Sequence, residues 1–430
     1  MAFESIAPAV VNRRGAPATA LEIAWLLGHA AIVLLLLTIS PLAMVDLDWR
    51  YYDTGGNFLD KFHPSTLIAF ALVLLPIITA RNPLSAAIAF VERNVKLMPF
   101  VFAILFTMVY AVQLFGHSFT IFIETFLGAV AMFVLFSNLD ESARRKLALL
   151  LHLLLFVNAL LAFYEVFTGF RLTPLVVNGE ELLDEPRATA LLGHPLSNAM
   201  VAGCYVTVLA LGGGKDLPRL LRTPLLFVAL ASLVPFGGRA ATATCILTLL
   251  MIGAGVGARI LRGQRFNTEN LFAALFMFPV CAIGIVTAFE LGWLDTLLDR
   301  LVDDEGSAGT RIVMFELFNH FTFRELFWGA NPQELATWVR LYGLEYGIES
   351  FLVAFILHYG IFTAIVFMPN FFYFLYQLVR ATGTRKTWFP VFYFFVVALA
   401  SVSLSSKSPI LSIIVVVVLT LMRADKPERA

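Results

Sequence analysis

The 430-residue chain is 59% apolar and only 14% charged, with 41 phenylalanines, whereas a soluble domain carries about 25% charged residues. Too little polar surface remains to cover the molecule in water, which excludes the soluble globular and disordered classes; 30 basic against 30 acidic residues leave no basic excess for a nucleic-acid partner. The composition defines a polytopic, all-α membrane protein.

In chain order, apolar runs of spanning or near-spanning length occupy residues 20–40, 64–80, 97–115, 118–137, 147–168, 190–211, 224–236, 239–258, 270–291, 350–379, 388–405 and 409–422. A membrane-crossing helix needs about 20 such residues, so about twelve transmembrane helices are predicted in a single membrane domain over residues 1–430. The Ser-rich stretch 401–409 leaves a broken helix or a ten-span count open at the end. The first twenty residues carry Arg13 and Arg14 but no long apolar core, so the first run is expected to be a span and not a cleaved signal. Cys204, Cys245 and Cys281 lie far apart inside apolar runs, which suggests neither a disulfide framework nor a metal site.

Basic residues concentrate on the cytoplasmic side of membrane proteins. With the N-terminus inside, the inside loops hold 20 of the 30 Lys and Arg, and the outside loops are rich in carboxylates, as at Asp46, Asp48, Asp53 and Asp60. Both termini are expected in the cytoplasm.

The polar features within this frame are few. Glu22, Glu124 and Glu165 fall in or near spans, and an intramembrane carboxylate is by default a functional candidate. Glu22 and Glu165 are close enough to span ends to be interfacial; Glu124 could mark a proton-coupled path. Outside loops shed arginine, yet Arg187 precedes the sixth span, Arg239 starts the eighth after Gly237-Gly238, and Arg311 lies in a long outside loop. Three cations facing one compartment suit a pyrophosphate, held through charge-assisted hydrogen bonds. For each arginine singly, an interfacial role or pairing with a nearby carboxylate accounts for the charge equally well. Gly253, Gly255 and Gly257 follow no strand, which favours helix packing over nucleotide binding. The seven histidines form no i, i+4 pair, so no metal site is expected.

The long outside loop, residues 292–349, exceeds ordinary connections. Trp293, Trp328 and Trp338 with Phe315, Phe318, Phe321, Phe323 and Phe327 supply enough apolar mass for two or three short helices on the outer membrane face. A structural cap is the plain alternative to a functional loop.

Taken together, these segments resemble the O-antigen ligase and Wzy-type polysaccharide polymerase superfamily. The matching stretches are Arg187-Ala-Thr-Ala-Leu-Leu-Gly193-His194-Pro195-Leu-Ser-Asn198, Phe236-Gly-Gly-Arg239-Ala-Ala, and Gly309-Thr-Arg311 followed by Trp328-Gly-Ala-Asn331-Pro332. They cover roughly residues 185–370. The family usually closes the loop with a His-Asn or His-Ser pair eleven residues before a glycine; counting back from Gly360 reaches Glu349-Ser350, so a glutamate replaces the histidine.

The resemblance implies a metal-independent glycosyltransferase of exopolysaccharide or O-antigen synthesis in the bacterial inner membrane, without a cofactor. Its donor would be an undecaprenyl-pyrophosphate-linked glycan and its acceptor a second glycan at the periplasmic face. Arg187, Arg239 and Arg311 would bind the pyrophosphate and Glu349 would act as base, with Arg311 counted in the catalytic set and His194 and Ser350 as neighbours. Other polysaccharide synthesis or export proteins would be partners. The rivals are a lipid-linked oligosaccharide flippase or other transporter, and a non-catalytic subunit of a synthesis complex.

Overall fold

The computed structural model describes residues 20–52, 55–177, 180–181, 187–263, 290, 313–344 and 347–424. The described chain is helical apart from one short antiparallel hairpin that pairs Val176–Val177 with Glu180–Glu181. In order, the helices are α1 (Ala20–Thr38), α2 (Pro41–Asp46), α3 (Pro64–Ile78), α4 (Pro83–Arg93), α5 (Met98–Phe115), a π-turn (Phe122–Leu127) running into α6 (Gly128–Ser137), α7 (Glu141–Thr168), α8 (Pro195–Ala210), α9 (Arg219–Ala231), α10 (Leu233–Phe236) and α11 (Arg239–Leu261). The series continues with α12 (Phe323–Trp328), α13 (Pro332–Leu341), α14 (Phe351–Thr382), α15 (Trp388–Leu399) and α16 (Ile410–Leu421).

Among the described residues, six segments are long and apolar enough to cross a membrane: Ala20–Thr38, Val95–Phe115, Glu141–Thr168, Arg219–Phe236, Arg239–Leu261 and Phe351–Thr382. Pro64–Ile78, Phe122–Ser137, Pro195–Ala210 and Ile410–Leu421 are apolar but shorter. Each predicted apolar run overlaps a helix, save the ninth, 270–291, which lies outside the described residues except for Glu290. The last two runs form separate helices, with the Ser-rich stretch between them as turns.

One local device starts five of these helices. Ser40-Pro41, His63-Pro64, Asn82-Pro83, His194-Pro195 and Asn331-Pro332 each place a capping side chain before a proline in the first turn. The cap accepts an otherwise unpaired backbone N–H, and proline gives up an N–H that has no partner there. The β-branched run Ile413–Val418 of α16 would be a poor helix in water. In apolar surroundings the backbone must close its hydrogen bonds within the segment, which favours the helix.

The chain divides into two compact units. The first comprises Met1–Leu154, Ile361–Thr387 and Ser406–Ala430. Its centre is the fully buried α16, packed on α6, which in turn packs on α3. Rings of Phe100, Phe126, Phe367, Phe371 and Phe374 interlock beside it, with Phe100 stacked on Phe374 at 4.8 Å. Arg144, 1% exposed, pairs with Glu141 and donates from Nη1 to the Thr420 carbonyl at 2.9 Å, tying the start of α7 to the end of α16.

The second unit comprises Leu155–Gly360 and Trp388–Ser405. Its centre is α8, buried along almost its whole length and packed by α9, α10, α11 and α15. A side chain on Gly203 would stand 2.1 Å from the Tyr393 hydroxyl, so glycine lets the tyrosine of α15 lie on α8 and donate to the Ala199 carbonyl at 3.1 Å. The end of the long loop is ordered as predicted: Met314, Leu317, Phe321, Ala330, Leu335 and Leu344 form one core with Val353, Ala354 and Leu357 of α14.

Gly203→Ala should cost about 1–3 kcal/mol, the usual penalty for overfilling a packed site. It would appear as a lower unfolding midpoint in detergent, largely restored by adding Tyr393→Leu; an unchanged midpoint would contradict this crossing.

Candidate functional site

The segment Arg187–Asn198 and the turn Phe236–Arg239, adjoining in the second unit, contain three of the candidate site residues, Arg187, His194 and Arg239. The Ala188 N–H donates to the Pro235 carbonyl at 2.9 Å, which aligns the two strands of chain. Gly237 closes α10 in the left-handed region, at φ +61°, with its N–H bonded back to Leu233 and Val234. Only glycine takes this conformation without cost. The Arg187 side chain lies directly over it: a methyl group on Gly237 would stand 2.8 Å from both Cγ and Cδ of Arg187. Gly238 then packs against Ala199 of α8, and exposed Arg239 is the first residue of the 23-residue α11. Gly238 has no side chain to cap α11, so Arg239 stands at the positive end of the helix dipole without a side-chain cap. The Gly-Gly pair therefore makes a tight turn and also admits the aliphatic stem of Arg187 against bare backbone.

Behind Arg187 the chain is fixed by a buried carboxylate. Glu165, 3% exposed, accepts from the N–H groups of Leu172 at 3.0 Å, Thr189 at 2.8 Å and Ala190 at 2.9 Å. Asn158 accepts the Leu191 N–H at 2.9 Å, and the Asn198 amide donates to the carbonyls of Thr189 and His194. Arg171 donates to the Arg187 carbonyl. Glu165 is thus a bonded acceptor inside the protein. Sequence reading missed Asn158, Thr189 and Arg171; the one available signal was Asn158 seven residues before Glu165, two helical turns along one face. His194 has a structural task, since its Nδ1 accepts the Leu196 N–H as the cap of α8.

Glu349 and Ser350 belong to another part of the unit, the start of α14. Glu349 is half-buried, and the buried Ser350 hydroxyl accepts the Val353 N–H at 3.5 Å. Gly360, from which their position was counted, breaks α14 at φ +86°. A side chain there would stand 2.5 Å from the Phe327 carbonyl oxygen, and the Ala330 N–H donates to Leu357 at 3.0 Å. The Trp328–Asn331 motif is therefore seated on this break. Arg311 lies outside the described residues.

A second polar concentration lies in the first unit. Glu124, fully buried in the π-turn, accepts the His63 N–H at 3.1 Å and the Thr66 hydroxyl at 2.9 Å. His63 Nε2 stands 2.6 Å from the Ile39 carbonyl, which can only accept, so that nitrogen carries the proton and Nδ1 accepts from Ser65. Lys407 donates to the Tyr51 carbonyl at 2.6 Å and sits 3.9 Å from the centre of the Tyr51 ring. Burial pushes the Lys407 ammonium down to about 8; the Glu124 carboxylate opposes the shift and Lys61 reinforces it. Thr125 bonds to Ser406 and Ser408, so the cluster ties the loop before α3 to the turn before α16.

No protein-family model matches this chain, and no curated protein is similar to it.

Because folding lowers the Lys407 pKa, the unfolded chain holds more protons between about pH 8 and the ordinary lysine range near 10, and this group's contribution to stability rises across that window. Unfolding midpoints measured from about pH 7.5 to about pH 10 should climb in the wild type relative to Lys407→Met. Parallel curves would show that Lys407 does not titrate in this way.

Proposed function

We propose that the protein is a polysaccharide polymerase or ligase that transfers a glycan from an undecaprenyl-pyrophosphate donor to an acceptor sugar hydroxyl at the periplasmic face of a bacterial inner membrane, with about twelve spans and both termini in the cytoplasm. The observation that carries this is the Arg187–Gly237–Arg239 turn at the uncapped start of α11. A pyrophosphate gains from forked guanidinium donors and from helix N–H groups together. The excess of basic residues in the assigned inside loops supports the sidedness, and the similarity of these stretches to the ligase and polymerase superfamily supports the donor class.

In the transfer, a base takes the proton of the acceptor hydroxyl while its oxygen bonds to the anomeric carbon. The bond from that carbon to the pyrophosphate oxygen breaks, and the leaving group departs with the electron pair. Arg187, Arg239 and Arg311 stabilise the developing negative charge, and Glu349, standing where the superfamily has histidine, takes the proton. The scheme needs no cofactor. The transporter alternative rested on Glu124, but a carboxylate bonded to the His63 N–H and the Thr66 hydroxyl serves as a fixed anchor.

Arg187→Ala and Arg239→Ala should each lower polymer yield by about two to three orders of magnitude, the usual loss when a donor to transition-state charge is removed, with protein levels in the membrane unchanged. Single lipid-linked repeat units should accumulate on the periplasmic side. Polymer of wild-type length and yield in both variants would overturn the proposal, and accumulation on the cytoplasmic side would indicate a flippase.

A further inference from the structure

Resting on the donor site above, we propose that Glu165 is a positioning residue: it holds the backbone of Arg187 so that its side chain crosses the Gly237 turn, and it acts on the donor only through that arginine. Three consecutive loop amides, those of Thr189, Ala190 and Leu191, point at two acceptors on one face of α7: Glu165 takes the first two and Asn158 the third. The other Glu165 oxygen takes the Leu172 N–H, so one carboxylate joins the chain after α7 to the chain before α8. The Thr189 hydroxyl adds a bond to the Thr173 carbonyl at 2.8 Å.

Held this way, Ala190 adopts φ +40°, a left-handed conformation that a residue with a side chain takes only where its surroundings impose it. Bonds to a charged acceptor are about twice as strong as neutral ones, and this carboxylate has three backbone N–H donors within 3.0 Å. Three residues upstream of Ala190, Arg187 is fixed at its carbonyl by Arg171 and through the next N–H by Pro235. Once the carboxylate is neutralised, the strained turn is free to relax, and the Arg187 backbone loses the frame that directs its side chain across Gly237.

Glu165→Gln keeps the shape but removes the charge and must turn its NH2 toward one of the donors. The test is a double-mutant cycle on the full chain in lipid nanodiscs, with inorganic pyrophosphate as the probe. Arg187→Ala and Glu165→Gln should each weaken binding about tenfold, and the double variant should bind no more weakly than Arg187→Ala, because residues acting through one group are not additive. Wild-type affinity in Arg187→Ala would overturn the donor site itself. A tenfold loss in Arg187→Ala with wild-type affinity in Glu165→Gln would leave the donor site standing and overturn the positioning role. Losses that multiply in the double variant would also overturn it, since a general structural defect adds independently. Should Glu165→Gln fail to accumulate, Asn158→Ala, which releases only the Leu191 N–H, enters the same cycle with the same expectation and the same overturning outcomes.

Discussion

A backbone N–H removed from water has to find an acceptor, and in this chain two buried carboxylates supply one where the helices stop. Within α-helices the need is met automatically. In the stretches that break them, Glu124 receives the His63 N–H and Glu165 receives those of Leu172, Thr189 and Ala190. Each carboxylate takes the place of water at an irregular segment, and each serves its own unit. An acceptor with two oxygens can gather donors from chain segments far apart in sequence, which a helix cannot do.

This constraint explains why the arginine turn is well defined although it lies in irregular chain. Arg187 sits where three independent contacts meet: the Arg171 guanidinium, the Pro235 carbonyl and the bare backbone of Gly237. Exposed Arg239 stands two residues beyond that glycine at the head of α11. The turn thus sets one arginine side chain against the backbone that leads into α11, where the second arginine begins the helix. The end of the long loop follows the same logic, since Gly360 opens α14 and the backbone at 327–330 enters the break, bonded to Leu357.

Much of the fold was legible before any coordinates because its signals are local. Apolar runs give the helices, and cap-proline pairs such as His63-Pro64 and Asn331-Pro332 mark where several begin. The two arginines were legible as candidates because the charge pattern assigns their loops to the outer side, where arginine is out of place. The bonding of Glu165 was not legible for an equally physical reason: position along a helix gives depth but not neighbours, and its partners at 172, 189 and 190 are contributed by other segments. Lys407 carries no such signal, because nothing near it in the chain reveals the ring of Tyr51.

The sequence by itself determined the membrane class, the approximate placement of the helices and the residue types able to hold an anion, since composition, periodicity and charge act over a few residues at a time. Only the tertiary structure decided that Arg187 lies across Gly237, that Glu165 receives the amides behind it, and that the Trp328–Asn331 turn fills the break at Gly360. The physical reason is the range of the interactions: hydrogen bonds and contacts of about 3 Å depend on which distant segments the packed helices bring side by side, and one sequence read in order does not contain that distance.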